Sequence, residues 1–408
     1  MKRLLTGNAS IATGAMLSNV EYIPAYPITP QTEIIEILSK WVREGKMNAK
    51  LVTFESEHSM ITAAGAASLT GVRAFTSTSS QGLLYAFEML YNVAGWRAPL
   101  LLANVSRAVA APITLEPDHN DVLSTRDCGF IQIHAETCQE ALDDVIIGYR
   151  IAEDDMVKLP VIVNIDGFYL SFTQEVVDVP SNDEVEEFLP EYKPIHGYLN
   201  AKNPISLGVA VLNSSAYSYF KYQMHLASLN ALKVHEKISK DFEKIFRRRY
   251  YTVEGYMLDD ADYVIVMSNS FTTLGKAAIK ELRKEGKSVG LLKIRVVRPF
   301  PRDDIINALR GRKGVAVFDQ NISIGGGGIL YPEVVSALYH IDDRPKAIVS
   351  FIGGLGGKRI SKEEFKHMIS VIEDAANTHK VPSSILLFTD EDWSMVRSML
   401  KIAKGDIE

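Results

Sequence analysis

Two carboxylates, Glu55 and Glu57, stand beside His58 where a strand-like run, Leu51-Val52-Thr53-Phe54, gives way to a helix-like run of small residues, Thr62-Ala63-Ala64-Gly65-Ala66-Ala67. An acid at a helix N-terminus among apolar neighbours feels two opposed influences. The aligned backbone dipoles favour its charged form, and removal from water favours its neutral form. A carboxyl held between them and facing a ring nitrogen of a bound cofactor would act as a proton-transfer group. Read alone, the segment also fits an acid pair that merely caps a helix. The small residues that follow allow that helix backbone to approach another surface closely.

Such a group needs a frame to hold it. Apolar runs at 22–26, 51–54, 74–76, 99–105 and 159–165 alternate with helical patterns at 32–42, 61–69 and 83–91. This alternation predicts a parallel sheet covered by helices on both faces. Residues 176–203 are acidic and Pro-bearing and read as a surface connection. Residues 214–249 read as one long charged helix bridging two lobes. A second alternating unit follows, with strands at 263–267, 288–294, 314–319 and 347–352 and a helix at 272–285. The expected division is therefore 1–250 and 251–408, two α/β domains in a chain too long for one growing core. The glycine run at 325–328 lacks the Lys and Ser/Thr of a P-loop and reads as a tight connection, with a phosphate cradle as the other possibility.

Composition excludes several classes. The 408 residues carry a formal charge of −6, with 47% hydrophobic and 23% charged residues, which gives nucleic acid no basic footprint. No apolar run approaches the ~20 residues of a membrane span, and the first residues do not form a signal peptide, so the expected location is the cytoplasm. Two cysteines, Cys128 and Cys138, cannot supply the four thiolates an iron–sulfur cluster usually takes. No metal is assigned to this chain.

Four segments in fixed order add a further reading: Tyr26-Pro27-Ile28-Thr29-Pro30, Glu55-Ser56-Glu57-His58, Thr76-Ser77-Thr78-Ser79-Ser80-Gln81-Gly82, and Ser106-Arg107 through Pro112 to Asp118-His119-Asn120-Asp121. With Asp166-Gly167-Phe168, Arg298-Pro299-Phe300 and Gly353-Gly354-Leu355-Gly356-Gly357, this set resembles the alpha subunit of the pyruvate:ferredoxin oxidoreductase family, within the thiamine-dependent 2-oxoacid:ferredoxin oxidoreductases. The resemblance implies a thiamine-diphosphate-binding fold, a pyrimidine-type domain followed by a smaller transketolase C-terminal-like domain. It implies that Glu57 hydrogen-bonds the aminopyrimidine ring, driving its amino group into the form that accepts a proton. It implies that Arg107 contacts the substrate carboxylate, for which a planar, permanently charged fork is suited. Thr29 is implied near the substrate's carboxylate or keto oxygen, and Thr78 and Pro27 at the cofactor. Without the resemblance, Arg107 reads as a surface ion pair and Thr29 as a turn residue. His58 and His119 receive no catalytic assignment.

The resemblance also implies what other chains must bring. The diphosphate cradle of this superfamily carries Gly-Asp-Gly, which this sequence lacks. A beta subunit would hold the diphosphate site, Mg2+ and an iron–sulfur cluster, with further gamma and delta subunits, ferredoxin as electron acceptor and coenzyme A as co-substrate. The implied reaction is oxidative decarboxylation of pyruvate to acetyl-CoA and CO2. Branched-chain 2-oxoacids, 2-oxoglutarate, oxalate, or a noncatalytic scaffold of the same fold are the alternatives. Glu116, in Ile113-Thr114-Leu115-Glu116-Pro117, places an anion in the loop after Arg107 that, facing the carboxylate pocket, would repel a dianionic acid more than pyruvate.

Overall fold

A computed structural model of the chain describes residues 1–194 and 197–403. The order begins β1 (Lys2–Thr6), α1 (Gly7–Leu17), β2 (Tyr22–Ala25), α2 (Thr32–Arg43), β3 (Lys50–Thr53), α3 (Glu57–Ser68), β4 (Phe75–Thr78), α4 (Ser80–Tyr85), α5 (Phe87–Gly95), β5 (Leu101–Ser106), α6 (Asn120–Ser124), β6 (Ile131–His134), α7 (Cys138–Ala152), β7 (Val161–Asp166), β8 (Gln174–Asp178), α8 (Asn182–Phe188) and α9 (Ser214–Phe246). It continues β9 (Val253–Tyr256), β10 (Tyr263–Met267), α10 (Phe271–Lys284), β11 (Val289–Ile294), β12 (Val296–Arg298), α11 (Arg302–Leu309), β13 (Gly314–Asp319), α12 (Leu330–Leu338), β14 (Ala347–Ile352), α13 (Lys362–Thr378), β15 (Ile385–Leu386) and α14 (Asp390–Ala403). Two compact units result. The first holds Met1–Glu254 together with Ser268–Thr273 and Lys293–Asp304, and the second holds the other segments from Gly255 onward.

In the first unit, five strands run in the order β12-β6-β7-β5-β4, with β4, β5, β7 and β6 mutually parallel and the short β12 antiparallel at the edge. A parallel pair, β2 and β3, continues the series beyond β4 through a bridge between Tyr22 and Ala74. Every residue of β5 and β7 is buried, which is why these strands read as unbroken apolar runs. Helices α1, α2 and α7 contribute Ile11, Ile34, Leu38, Val145 and Ile146 to the core beneath them. Helix α3 lies close against α5, because a Cβ on Gly65 would come within 2.5 Å of Val93. The small-residue helix is a device for close packing.

The acidic stretch expected as a plain connection has more structure than its charge suggested. It contains β8, which pairs antiparallel with β1, and α8, whose N-terminus is closed by a capping box between Ser181 and Glu184. Val185 and Phe188 of α8 are buried, and the Phe188 ring meets Phe242 of α9 at 5.1 Å. Ile195 and His196, within the same stretch, lie outside the described residues. Helix α9 runs 33 residues, and Ala231, Val234, Ile238 and Phe242 bury its inner stripe. The helix expected over 83–91 is divided into α4 and α5 at Ala86.

The second unit has its own sheet, β15-β14-β13-β10-β11 with β9 at the edge, parallel through β10, β13, β14 and β15. After β13 the glycine run turns the chain into α12. The N-terminus of α12 is occupied by the Asp319 carboxylate, which accepts from Leu330 N at 2.7 Å and Tyr331 N at 3.2 Å. A side chain already holds the place a phosphate would take.

Candidate active site

The motif residues gather where open α/β sheets bind ligands, beyond the carboxyl ends of the strands. The Tyr26–Pro30 loop follows β2, the Glu55–Glu57 turn follows β3, Ser79 and Ser80 follow β4, Arg107 follows β5 and Gly167 follows β7.

The two acids of the opening motif diverge. Glu55 points outward and accepts from Ser59 Oγ at 2.5 Å, which holds its carboxyl below the ordinary range. Glu57 is the first residue of α3 and is only 5% exposed. Burial raises its pKa, opposed in part by a backbone hydrogen bond. Among the described residues no side chain hydrogen-bonds to its carboxyl. One of its oxygens instead borders Gly82 and the Thr78 hydroxyl: a Cβ on Gly82 would sit 2.4 Å from Glu57 Oε1 and 2.6 Å from Thr78 Oγ1. Thr78 Oγ1 is itself buried without a partner. His58 stays half-exposed, 3.7 Å from Glu88.

Arg107 ties the other motifs together. Its Nη1 donates to the Thr29 carbonyl at 2.7 Å and its Nη2 to Gln81 Oε1 at 2.5 Å, while Nε is buried without an acceptor. Desolvation lowers its pKa, partly offset by the charge of Asp121, yet a guanidinium starts so high that it stays cationic. Thr29 meets Arg107 through its backbone, and its side chain is exposed. Pro27 is exposed on the same loop. The loop is fixed from below, since Asn8 Nδ2 donates to Pro30 O and Gln31 bridges Tyr26 O and Ser77 Oγ.

The Asp118–Asp121 segment reads in the sequence as shaping the loop behind Arg107, and its last residue, which the sequence does not single out, organises the cluster. Asp121 is fully buried and accepts from Ser80 N at 3.0 Å, Arg107 N at 3.2 Å, Ser106 Oγ at 2.7 Å, Asn104 Nδ2 at 3.1 Å and Val122 N at 2.7 Å. It thereby fixes both the turn into α4, where Ser80 has φ of +47°, and the start of the Arg107 loop. Burial raises its pKa against those hydrogen bonds. Asp121→Ala would strand several buried donors at ~1–3 kcal/mol each. We expect a loss of at least ~3 kcal/mol of stability, read as a lowered denaturation midpoint. Nearby, His119 Nε2 meets Asp166 Oδ1 at 2.7 Å, and Asp166 also accepts from Ser270 N at 3.1 Å. Burial alone would lower the His119 pKa, and the carboxylates around it, Asp166 foremost with Asp121 and Asp118, more than reverse this. The same burial pushes Asp118 up to about 6.

Glu136, Glu140 and Glu254 offer oxygens within 4.8 Å of one another, but Lys293 Nζ lies 3.1, 2.5 and 3.4 Å from them and already holds the place a cation would take. Cys128 and Cys138 are free thiols, both buried. No helix among the described residues is long and apolar enough to cross a membrane.

Residues 13–240 match the family model described as pyruvate flavodoxin/ferredoxin oxidoreductase, thiamine diP-bdg, and residues 261–365 match pyruvate:ferredoxin oxidoreductase core domain II. The chain is 41% identical to the pyruvate synthase subunit PorA of Methanothermobacter thermautotrophicus, over 91% of this chain and 95% of that one. It is 38% identical to the ketoisovalerate oxidoreductase subunit VorA of Pyrococcus horikoshii, over 94% and 97%. Among solved structures, it superposes with TM-score 0.66 on the 2-oxoglutarate:ferredoxin oxidoreductase of Magnetococcus marinus, at 20% identity, covering 90% of this chain and 65% of that one. That likeness carries the fold, parallel sheets flanked by helices, and the matched family model describes the first part of it as thiamine-diphosphate-binding. By its matched family model and by relatives aligned over nearly their whole length, the chain belongs to the pyruvate flavodoxin/ferredoxin oxidoreductase family.

Proposed function

We propose that this chain is the alpha subunit of a thiamine-diphosphate-dependent 2-oxoacid:ferredoxin oxidoreductase that oxidatively decarboxylates pyruvate to acetyl-CoA and CO2. The first unit acts as the pyrimidine-binding domain and the second as the transketolase C-terminal-like domain. Partner subunits, a beta subunit and further gamma and delta chains, carry the diphosphate site, Mg2+ and the iron–sulfur clusters. Ferredoxin takes the electrons, coenzyme A takes the acyl group, and the complex works in the cytoplasm.

The observation that carries this reading is Glu57, a buried carboxyl at a helix start with a raised pKa and no side-chain partner among the described residues. The residues fit an aminopyrimidine edge: an uncommitted carboxyl for the ring nitrogen and the orphaned Thr78 hydroxyl beside it. Bound thiamine diphosphate supplies the electron sink that decarboxylation of a 2-oxoacid requires. Glu57 holds or releases a proton at the ring nitrogen, and burial keeps it protonated to a higher pH than an exposed carboxyl. Arg107 holds the substrate carboxylate, for which its buried Nε is a ready donor. Thr29 and Pro27 shape the rim through a loop whose carbonyl anchors Arg107.

Gly82 tests the first part. A methyl group there meets both the end of the Glu57 side chain and the Thr78 hydroxyl, so Gly82→Ala should displace the carboxyl. We expect kcat to fall at least ~10-fold, since a misplaced reacting group is costly. Substrate choice is tested by a ferredoxin-linked assay of the co-purified complex against pyruvate, branched-chain 2-oxoacids, 2-oxoglutarate and oxalate. Pyruvate should give the highest kcat/KM. The VorA relative at 38% identity makes a branched-chain acid the second reading. A colourless assembly that turns over none of these acids would leave a scaffold role instead.

A further inference from the structure

The Gln81 side chain stands beside Arg107 with half of its amide unused. Arg107 can only donate, so the Gln81 atom 2.5 Å from Nη2 is the amide oxygen. The Ser80 hydroxyl lies 2.6 Å from that same oxygen. This fixes which way the amide faces and turns its NH2 group away from both neighbours. Among the described residues nothing accepts from Gln81 Nε2. The side chain is half-buried, follows directly from the Ser80 turn that Asp121 locks, and precedes Gly82, which borders Glu57. Its oxygen is therefore pinned by Arg107 Nη2 and the Ser80 hydroxyl, which leaves the NH2 group to donate to a ligand beside the guanidinium.

We infer that Gln81 is a substrate-binding residue whose amide NH2 donates to the keto oxygen of the 2-oxoacid while Arg107 holds the carboxylate. In a 2-oxoacid these two groups sit on adjacent carbons, so they need adjacent donors of different strength. A cationic fork suits the carboxylate, and a neutral amide suits the uncharged keto oxygen. The pair thus reads the two features that define the substrate class and leaves its side chain to other residues. This inference rests on the reading of Arg107 as the carboxylate-binding residue.

The test uses the purified complex carrying Gln81→Met, which preserves length and removes the donor, with Gln81→Leu as the second variant if the first does not assemble. Two constants are measured: kcat/KM for pyruvate, and the competitive inhibition constant of propionate, which has the carboxylate but no keto oxygen. The inference expects kcat/KM for pyruvate to fall about 10-fold or more, the size of one hydrogen bond, with part of the loss on kcat because the keto oxygen gains negative charge as it is attacked, and propionate inhibition changed less than about twofold. Equal weakening of pyruvate and propionate would show that Gln81 only positions Arg107 and overturns the proposal. Unchanged constants for both overturn it as well. Glu57→Gln in the same complex separates the levels: if that variant keeps full turnover, the reading of the whole site fails, whatever Gln81 does.

Discussion

Replacing Glu57 by glutamine should abolish 2-oxoacid turnover, by about 10²–10⁴-fold or more, and at the same time make the protein more resistant to unfolding at neutral pH. The two effects share one cause. Burial raises the folded-state pKa of this carboxyl above its ordinary value, so the folded protein binds the proton more tightly than the unfolded chain does. Stability then falls as pH climbs from the ordinary carboxylate range through the raised value, because above it the fold must hold a buried charge. Glutamine has the same size and carries no such charge. The variant should therefore melt at a higher temperature than the native protein at pH 7, and the gap should close in acid, below the ordinary carboxylate range, where Glu57 is protonated in both states. Loss of activity joined to gain of stability marks a group kept for its chemistry. Hydrogen–deuterium exchange at C2 of the bound cofactor provides the activity readout, and exchange at the native rate in the variant would remove Glu57 from the proton path.

Arg107→Ala should lower kcat/KM for pyruvate by roughly 30- to several thousand-fold, corresponding to the ~2–5 kcal/mol associated with losing one partner of a buried charged pair. Arg107 is 7% exposed, and its contacts to Thr29 O and Gln81 Oε1 leave Nε for an anion. Most of the loss should fall on KM, because a carboxylate clamp binds ground state and transition state alike. Arg107→Lys should recover only part of it, since an ammonium keeps the charge and loses the planar fork. Steady-state kinetics on both variants check this, and an unaltered kcat/KM in Arg107→Ala would place the substrate carboxylate elsewhere.

The strands that build the site were legible where burial on both faces writes them as apolar runs: β5 and β7, and β10, β13 and β14 in the second unit, are where the sequence places strands. Helix α7 was not legible. It is buried almost all round, and its Glu140, Asp143 and Asp144 sit inside the protein, paired with Lys293, Arg295, Arg248 and Tyr250. An amphipathic pattern cannot mark a helix whose acids face inward. Strand β12 is three residues long and joins the sheet edge antiparallel, too brief for any periodicity.

The site divides in the same way. Glu57, Arg107, Thr29 and Thr78 stand in motifs whose local order is visible, and the fold brings the Arg107 guanidinium to the Thr29 loop and Thr78 to the Glu57 carboxyl. Asp121 and Gln81 gain their meaning only from partners far along the chain, 41 residues between Asp121 and Ser80 and 26 between Gln81 and Arg107. Asp166 lies 47 residues from His119 and 104 from Ser270. No spacing rule reaches that far, because those pairings are set by which strand ends adjoin in the sheet.

The central claim is that Glu57 faces the aminopyrimidine ring of thiamine diphosphate in a site completed by a partner subunit. It is tested most directly by the distance from the Glu57 carboxyl to the pyrimidine ring nitrogen in a crystal structure of the assembled, cofactor-loaded complex. The account predicts a hydrogen bond of about 2.6–3.2 Å. A pyrimidine ring bound away from Glu57, with that carboxyl turned to water, would contradict it.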